Sequence, residues 1–200
     1  MTRIFSQSTG TEELLDEVET VLISDINDAL DQVYNRQEAS DQARALRRNI
    51  PYFPIEYEYV PPDHFHTGNF PSISLEEVPL DSYPYIVLTI EGYTPNPESA
   101  RDDHKNVYDD ILVVHCLAQA SLEEGSETVF RRSVRMGEAV YIALMSNTAM
   151  EKKLSASANP VRGQTSLPFT SNYKGRGDKW WFQSCGTQYS IKSYTSMWGV

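Results

Sequence analysis

The chain has 200 residues, which is enough for one globular domain with its own core, and no Pro-, Gly- or Ser-rich linker divides it into two parts. Apolar residues make up 40% of it and charged residues 22%, and no apolar stretch approaches the roughly 18–20 residues that span a bilayer. Its net charge of −11 is uneven, because residues 51–126 are strongly acidic and residues 127–200 are basic, which argues against non-specific DNA binding by the whole surface.

An amphipathic helix is predicted near the N-terminus, over about residues 10–36. Thr9 and Glu12 match a capping box, and the opposite face of the helix is acidic. Apolar residues recur at helical spacing: Leu14, Val18, Val21, Leu22, Ala29 and Val33. We expect this apolar stripe to cover a sheet rather than to bind a partner.

Two shorter elements are predicted after it. Asp41–Arg48 has a helical pattern and is expected to form a second, separate helix. Pro51 and Pro54 interrupt that pattern, and Ile55–Val60 then alternates apolar and acidic residues, which is typical of a half-buried strand.

The central part of the chain predicts a strand, a loop, a strand and a helix. The apolar runs Tyr85–Ile90 and Val107–Ala118 predict the strands, and a helical period over about residues 127–146 predicts a long helix that packs on them. One face of this helix is expected to be buried: Phe130, Val134, Gly137, Tyr141 and Leu144. Further on, Trp180–Met197 predicts either one bent strand or a hairpin about Gly186, with a bulge before Tyr194.

These elements predict an α+β fold, in which a mixed or antiparallel β-sheet is packed by the helix at about 127–146 and the N-terminal helix at about 10–36. We expect a single domain over residues 1–200. Long loops are expected at 61–82, 93–106 and 147–179.

A search for reactive groups finds little. Cys116 and Cys185 lie in predicted strands without Cys-x-x-Cys spacing, which favours buried free thiols over a disulfide or a metal pair. His64 and His66 could offer two imidazoles on one strand face, but no further ligand is spaced for a metal site. An ordinary polar loop is the preferred interpretation there.

An acidic cluster raises one enzymatic alternative. Asp102, Asp103, Asp109 and Asp110 could bind Mg²⁺ for phosphodiester hydrolysis, since paired carboxylates hold that ion. However, the lysine that usually accompanies such a site is not recognisable, and adjacent strand residues point to opposite faces. We therefore predict a solvated cluster, with no catalytic residue, no metal and no cofactor.

Candidate contact residues come from the basic third of the chain and from the acidic loop. Three arginines near the start of the central helix oppose its dipole and repel one another, so they indicate either an acidic partner or a plain exposed face. Of two adjacent tryptophans, one is expected in the core and the other at an interface. The candidate subunit or partner interface comprises Arg131, Arg132, Arg135, Lys174, Arg176, Lys179, Trp180, Trp181, Asp102 and Asp103. The acidic and basic parts of the chain could also join identical copies head to tail, unless the charges only solvate exposed faces.

Over residues 9–200, this order of elements resembles the tail terminator and related head–tail joining proteins of long-tailed bacteriophages. The resemblance is carried by the acidic N-terminal helix (Thr9–Arg36), the strand pair (84–90 and 107–118), the helix Glu127–Met145 and the strand region from Trp180. It implies a non-catalytic subunit of a ring, expected to be a homohexamer, which caps the tail tube and joins tail to head.

The resemblance also implies partners and a location. The expected partners are other copies of the chain, the tail tube protein and a head-side connector, while DNA passes through the ring without specific binding and no membrane is contacted. The expected location is the virion neck or tail, after synthesis in the host cytoplasm. The alternatives are another neck ring (head-completion or connector), a tail tube protein, the Mg²⁺-dependent nuclease, and a DNA-binding module that uses residues 127–200.

Overall fold

One long N-terminal helix precedes a five-stranded sheet and two further helices. The computed structural model describes residues 11–52, 54–56, 58–67, 83–95, 105–121, 123–155, 169–172 and 180–196. The helices are α1 (Thr11–Arg48), α2 (Gly125–Ser146) and α3 (Thr148–Ser155), with one 3-10 turn at Pro62–His64. The strands are β1 (Phe65–Thr67), β2 (Tyr85–Pro95), β3 (Lys105–Ser121), β4 (Phe169–Asn172) and β5 (Trp180–Ser196). The predicted α+β fold is confirmed.

The sheet is mixed, with strand order β1-β2-β3-β5-β4. Only β1 and β2 run parallel, and the other neighbours are antiparallel. The pairing of β3 with β5 is unbroken from Lys105–Ser196 to Ser121–Trp180, so β5 is one continuous strand. The hairpin about Gly186 and the bulge before Tyr194 were therefore wrong. The irregularity lies instead in β2, between Glu91 and Tyr93.

The helices cover one face of this sheet. Buried residues of that face alternate along the strands: Ile86, Leu88, Leu112, Val114, Cys116 and Tyr189. Helix α2 approaches β5 closely at Gly137, where an added Cβ would lie 3.3 Å from Cys185 Sγ and 3.3 Å from Thr187 Cγ2. Cys116 and Cys185 are cross-strand neighbours and both are buried free thiols, as predicted.

Helix α1 is one continuous element, so the separate helices predicted for 10–36 and 41–48 were wrong as two units. No Pro or Gly lies between them to stop the helix. Its inner stripe is almost fully buried against α2 and the sheet: Leu14, Val18, Leu22, Ile26, Leu30 and Val33. The helix ends at Arg48, and the next residue, Asn49, has a φ of 52°, which places it in the left-handed region. The Asn49 N–H bonds the Leu46 carbonyl at 3.2 Å and the Ile50 N–H bonds the Ala45 carbonyl at 3.1 Å, which is the Schellman arrangement.

Helix α2 lies where it was predicted, but the buried face was misassigned by about one residue. Phe130 is 44% exposed, and Val134 and Tyr141 are only partly buried. The buried set is Val129, Arg132, Ser133, Arg135, Met136, Gly137, Ala139, Val140, Ala143 and Leu144. It is broad because α2 packs against both the sheet and α1, so two sides of the helix are covered.

The predicted strand Ile55–Val60 was also wrong, since its described residues do not join the sheet. The reason is that side chains of α1 and α2 form hydrogen bonds with the backbone groups of this segment. Asn27 Nδ2 donates to the Val60 carbonyl at 3.1 Å, and the Val60 N–H donates to Asn27 Oδ1 at 2.9 Å. Arg132 Nε donates to the Glu56 carbonyl at 3.1 Å. The segment is thus held against α1 and α2 as an extended strap.

Each predicted long loop contains regular structure that the sequence did not indicate. The 61–82 region includes the 3-10 turn and β1, and 147–179 includes α3 and β4. Strands β2 and β3 extend into the 93–106 region. The remaining residues of these regions, and Thr9 of the predicted capping box, lie outside the described residues.

Candidate interaction site at the junction of the two long helices

The last third of α1 and the first half of α2 are joined by ionic contacts. Arg36 Nη2 donates to Glu138 Oε1 at 2.6 Å, and Gln37 Nε2 lies 3.4 Å from Glu138 Oε2. One turn further along α1, Asp41 faces Arg135 and Arg131 of α2. The two helices therefore run antiparallel, with the end of α1 beside the start of α2.

Asp41 is the centre of this junction. Its carboxylate accepts from Arg135 Nη2 at 2.5 Å and from Arg131 Nη1 at 3.0 Å, and the side chains of Asp41 and Arg135 are only 10% and 7% exposed. The Arg135 guanidinium also lies 4.8 Å from the centre of the Tyr34 ring, a cation–π contact. Burial raises the pKa of Tyr34 to about 12, against the opposing effect of Arg135. The junction is thus a desolvated ion pair backed by an aromatic ring.

Arg132 holds the extended strap and the end of β3. Its Nη1 donates to the Gln119 carbonyl at 2.9 Å, and its Nη2 pairs with Glu124 Oε1 at 2.6 Å. Glu58 of the strap lies 3.6 Å from Nη1, and burial raises the pKa of Glu58 although Arg132 opposes the shift. One guanidinium therefore connects three separate segments of the chain.

A capping box precedes α2. The Ser121 N–H donates to Glu124 Oε2 at 2.8 Å, and the Glu124 N–H donates to Ser121 Oγ at 3.3 Å. Burial alone would raise the pKa of the Glu124 carboxyl, but the bonds from Ser121 and the charge of Arg132 outweigh it and hold that pKa below its usual range. The ionised Glu124 offsets the positive end of the helix dipole beside Arg131 and Arg132.

A cleft of about 670 Å³ opens between the end of α1 and the start of α2. Basic, acidic and apolar side chains all line it: Arg44, Arg48, Arg131, Glu56, Glu123, Glu127, Ile50, Pro51, Pro54 and Ile55. Such a mixed lining suits a protein segment that carries apolar and charged groups, rather than a small charged metabolite.

The structure brings together three of the ten predicted interface residues, and it corrects their role. Arg132 and Arg135 are 8% and 6% exposed, and their acidic partners belong to the same chain. Arg131 pairs internally with Asp41 and Glu127. These arginines therefore do not present free charge to a second subunit, because their acidic partners are Asp41 of α1, Glu124 before α2 and Glu127 of α2.

The other predicted interface residues lie in β5 or outside the described residues. Trp180 and Trp181 occupy the first positions of β5, opposite Ser121 and Ala120 of β3 and so at the cleft end of the sheet. Five further residues lie outside the described part of the chain: Lys174, Arg176, Lys179, Asp102 and Asp103. Asp109 and Asp110 take consecutive positions in β3, opposite Lys192 and Ile191.

The two histidines do not share a strand face. His64 ends the 3-10 turn, where its Nδ1 lies 3.0 Å from the Pro84 carbonyl. The ring of His66, in β1, stacks on the ring of Tyr85 in β2, with 6.4 Å between the ring centres. Within the described ranges, no group of three or more His, Cys, Asp or Glu side chains is placed to hold a metal ion.

The sequence analysis did not identify the end of α1 as a candidate interaction surface. Leu46 and Ile50 are 83% and 52% exposed, in a helix end rich in arginine. An apolar residue beside consecutive arginines at a helix terminus was the signal that could have identified it.

Comparison with known proteins adds no assignment. A scan against protein-family models and a search of curated proteins find no match to the chain. In the described part of the chain, no helix combines the length and the apolar composition needed to cross a membrane.

Proposed function

We propose that the chain is a structural subunit that closes into a ring, expected to be a hexamer, at the neck or tail of a long-tailed bacteriophage, where it terminates the tail tube. The observation that carries this proposal is a three-stranded arm. It consists of residues 91–95 of β2, 105–111 of β3 and 190–196 of β5, and its strand pairing continues past Ile90, Leu112 and Tyr189, the last described residues of these strands in or against the core cluster.

The arm begins where burial decreases along β3. Val113 is 1% exposed and Leu112 is fully buried, but Ile111 is 39% exposed. From Leu112 to Lys105 the strand runs on for about 23 Å, at a rise of about 3.3 Å per residue. A sheet extension of this length gains stability when another surface covers it.

The arm also leaves strand edges without a described neighbour. Strand β1 pairs with β2 only at Ile86–Leu88, and β4 pairs with β5 only at Trp181–Ser184. On the β2 side, the irregularity at residues 91–93 and Pro95 weaken the edge as a pairing template. On the β5 side, residues 185–196 contain neither a proline nor an irregularity in their pairing with β3. This is therefore the edge that we expect a neighbouring copy to cover.

A contact between an arm and a different surface of the next copy is heterologous, and such contacts generate rings when the rotation closes. This is the assembly that a tail terminator needs. A tail tube protein would use a similar contact but would also stack ring upon ring, which distinguishes the two functions.

Size-exclusion chromatography with light scattering and negative-stain imaging test the proposal. The expected result is a single closed ring of about six times the 22.7 kDa subunit mass that does not stack and that binds one end of purified tail tubes. A monomer at micromolar to millimolar concentration would refute the proposal, and indefinite stacks would indicate a tube protein instead.

A matched pair of variants tests the arm. Ile111→Lys places a charge at the base of the arm and is expected to weaken assembly at least tenfold, whereas Phe130→Lys makes the same kind of change at a similarly exposed residue of α2. Equal assembly of both variants would show that the arm does not make the contact.

A further inference from the structure

The outer surface of α1 has two halves of opposite charge. The half nearer the N-terminus, together with the turn after it, carries exposed carboxylates of Asp16, Asp28 and Asp31, and no ion-pair partner for them lies among the described residues. Neighbouring acids of the same half are used within the chain, since Glu17 pairs with Lys153 and Glu19 accepts from Thr67. Asp16, Asp28 and Asp31 are referred to below as the acidic strip.

The second half ends in three arginines, Arg44, Arg47 and Arg48, all of them exposed. The nearest carboxylate to Arg44 is Asp41, at 3.9 Å and already held by Arg135, while Arg47 Nε donates only to the carbonyl of Ala43. This basic end of α1 is left with positive charge that the described residues do not neutralise.

An exposed apolar stripe runs through the basic end. Ala39, Ala43 and Leu46 follow i, i+4, i+7 spacing and all are exposed, and the Schellman turn places Ile50 directly after them. Leu46 is 83% exposed, the largest value among the exposed large apolar side chains described. A helix that has apolar residues at this spacing on its outer side, as well as a buried inner stripe, has a second packing surface.

These surfaces cannot satisfy each other within one chain. They lie on a single helix, and the centres of the acidic strip and the basic end are separated by about 33 Å at a rise of 1.5 Å per residue. Pairing two basic ends about a twofold axis would bring arginines against arginines. The complementary surface must therefore belong to another copy. An antiparallel twofold pair would satisfy both charges in a closed dimer, whereas the same contact made head to tail is heterologous and suits a ring.

We propose that the basic end of α1 docks on the acidic strip of α1 in the next copy, with Leu46 and Ile50 packed against the small side chains of Thr20 and Ser24 that lie between the aspartates. This contact rests on the proposed ring, for which it names a second subunit interface besides the arm. It also sets the spacing between neighbouring copies at about 33 Å along α1.

Charge reversal tests the contact with two double variants, a mixture of the two and one fourfold variant. Arg47→Glu with Arg48→Glu inverts the basic end, and Asp28→Lys with Asp31→Lys inverts the acidic strip. Each variant alone is expected to weaken assembly at least tenfold, because like charges then face each other. A 1:1 mixture of the two variants is expected to assemble, since each then meets an opposite charge. One chain that carries all four substitutions is expected to assemble alone, and its net charge equals that of the unmodified chain.

Two controls separate this effect from folding and from net charge. Asp63→Lys with Glu151→Lys makes the same charge change as the acidic-strip variant at exposed residues outside α1, and is expected to assemble normally. Because glutamate in the last turn of a helix opposes the dipole, Arg47→Gln with Arg48→Gln serves as a milder variant, expected to weaken assembly without loss of circular dichroism.

The outcomes distinguish this contact from the ring itself. If the unmodified chain forms rings and both reversed variants do so equally well, the contact is refuted while the proposed function stands. If both variants fail and neither the mixture nor the fourfold variant recovers, complementarity is refuted as the cause. If the unmodified chain is monomeric, both proposals fail.

Discussion

Removal of the Asp41 carboxylate is the sharpest test of the helix junction. In Asp41→Ala, the Arg135 guanidinium keeps its place beneath α1 but loses the oxygen at 2.5 Å, and its side chain is only 7% exposed. Arg131 retains Glu127, and Arg44 is 46% exposed, so the loss falls on Arg135. Leaving one member of a buried pair uncompensated costs about 3–5 kcal/mol.

A small gain partly offsets this loss, because alanine favours a helix over aspartate by roughly 0.5 kcal/mol. The free energy of unfolding should therefore fall by about 3 kcal/mol, a large part of the 5–15 kcal/mol typical of a domain. Urea unfolding followed by far-UV circular dichroism measures it. Glu151→Ala, an exposed acid in α3, is the matched control and should change stability by less than about 0.5 kcal/mol.

A double variant separates the ion pair from its surroundings. Asp41→Leu with Arg135→Met replaces both charges by apolar groups of similar size, and we expect it to recover most of the lost stability. A cost below about 1 kcal/mol for Asp41→Ala would contradict the desolvated pair. A full loss of stability in Asp41→Ala that the double variant does not recover would also contradict the desolvated pair.

Two further predictions concern buried titratable groups in the sheet. His115 is 7% exposed, and burial lowers its pKa to about 4, so unfolding should become easier as the pH falls from about 6.5 to 4, by at most about 3 kcal/mol, because only the unfolded chain then takes up the proton. Urea unfolding at several pH values should show this slope, and it should vanish in His115→Gln; an unchanged slope would assign it to other groups. Burial raises the pKa of the Cys116 thiol well above its usual value, so neither Cys116 nor the equally buried Cys185 should react with a disulfide reagent in the folded chain, whereas both should react in urea. Reaction of either thiol under native conditions within minutes would contradict this packing.

Local sequence patterns were sufficient to predict an element when its own residues show the period of its buried face. The runs at 85–90 and 107–118 and the periods in α1 and α2 each reflect burial on one face, so element types and the α+β class were predictable. The strap at residues 55–60 shows where such patterns mislead. Its alternation resembles a strand, but Asn27 and Arg132, distant in sequence, take the hydrogen bonds that a neighbouring strand would have supplied.

The candidate site was harder to predict because the sequence around a charged residue does not identify the residue with which it forms an ion pair. The sequence left open whether Arg135 meets an acidic partner or lies on an exposed face, and the partner is Asp41, 94 residues earlier. Helix α3 is short and depends on tertiary contacts such as Lys153 with Glu17, so propensity alone did not reveal it. Long-range contacts of this kind are set by the fold rather than by neighbours in the chain.

This burial of charge changes where a second copy can bind. In the linear sequence the basic part is residues 127–200, yet Arg132 and Arg135 are neutralised inside the chain. Among the side chains that the structure describes, the exposed positive charge that is not neutralised lies instead at Arg44, Arg47 and Arg48, within a half of the chain that is acidic overall. Because only unneutralised, exposed charges steer association, head-to-tail contact between copies should depend on the two ends of α1 and be insensitive to the three arginines of α2.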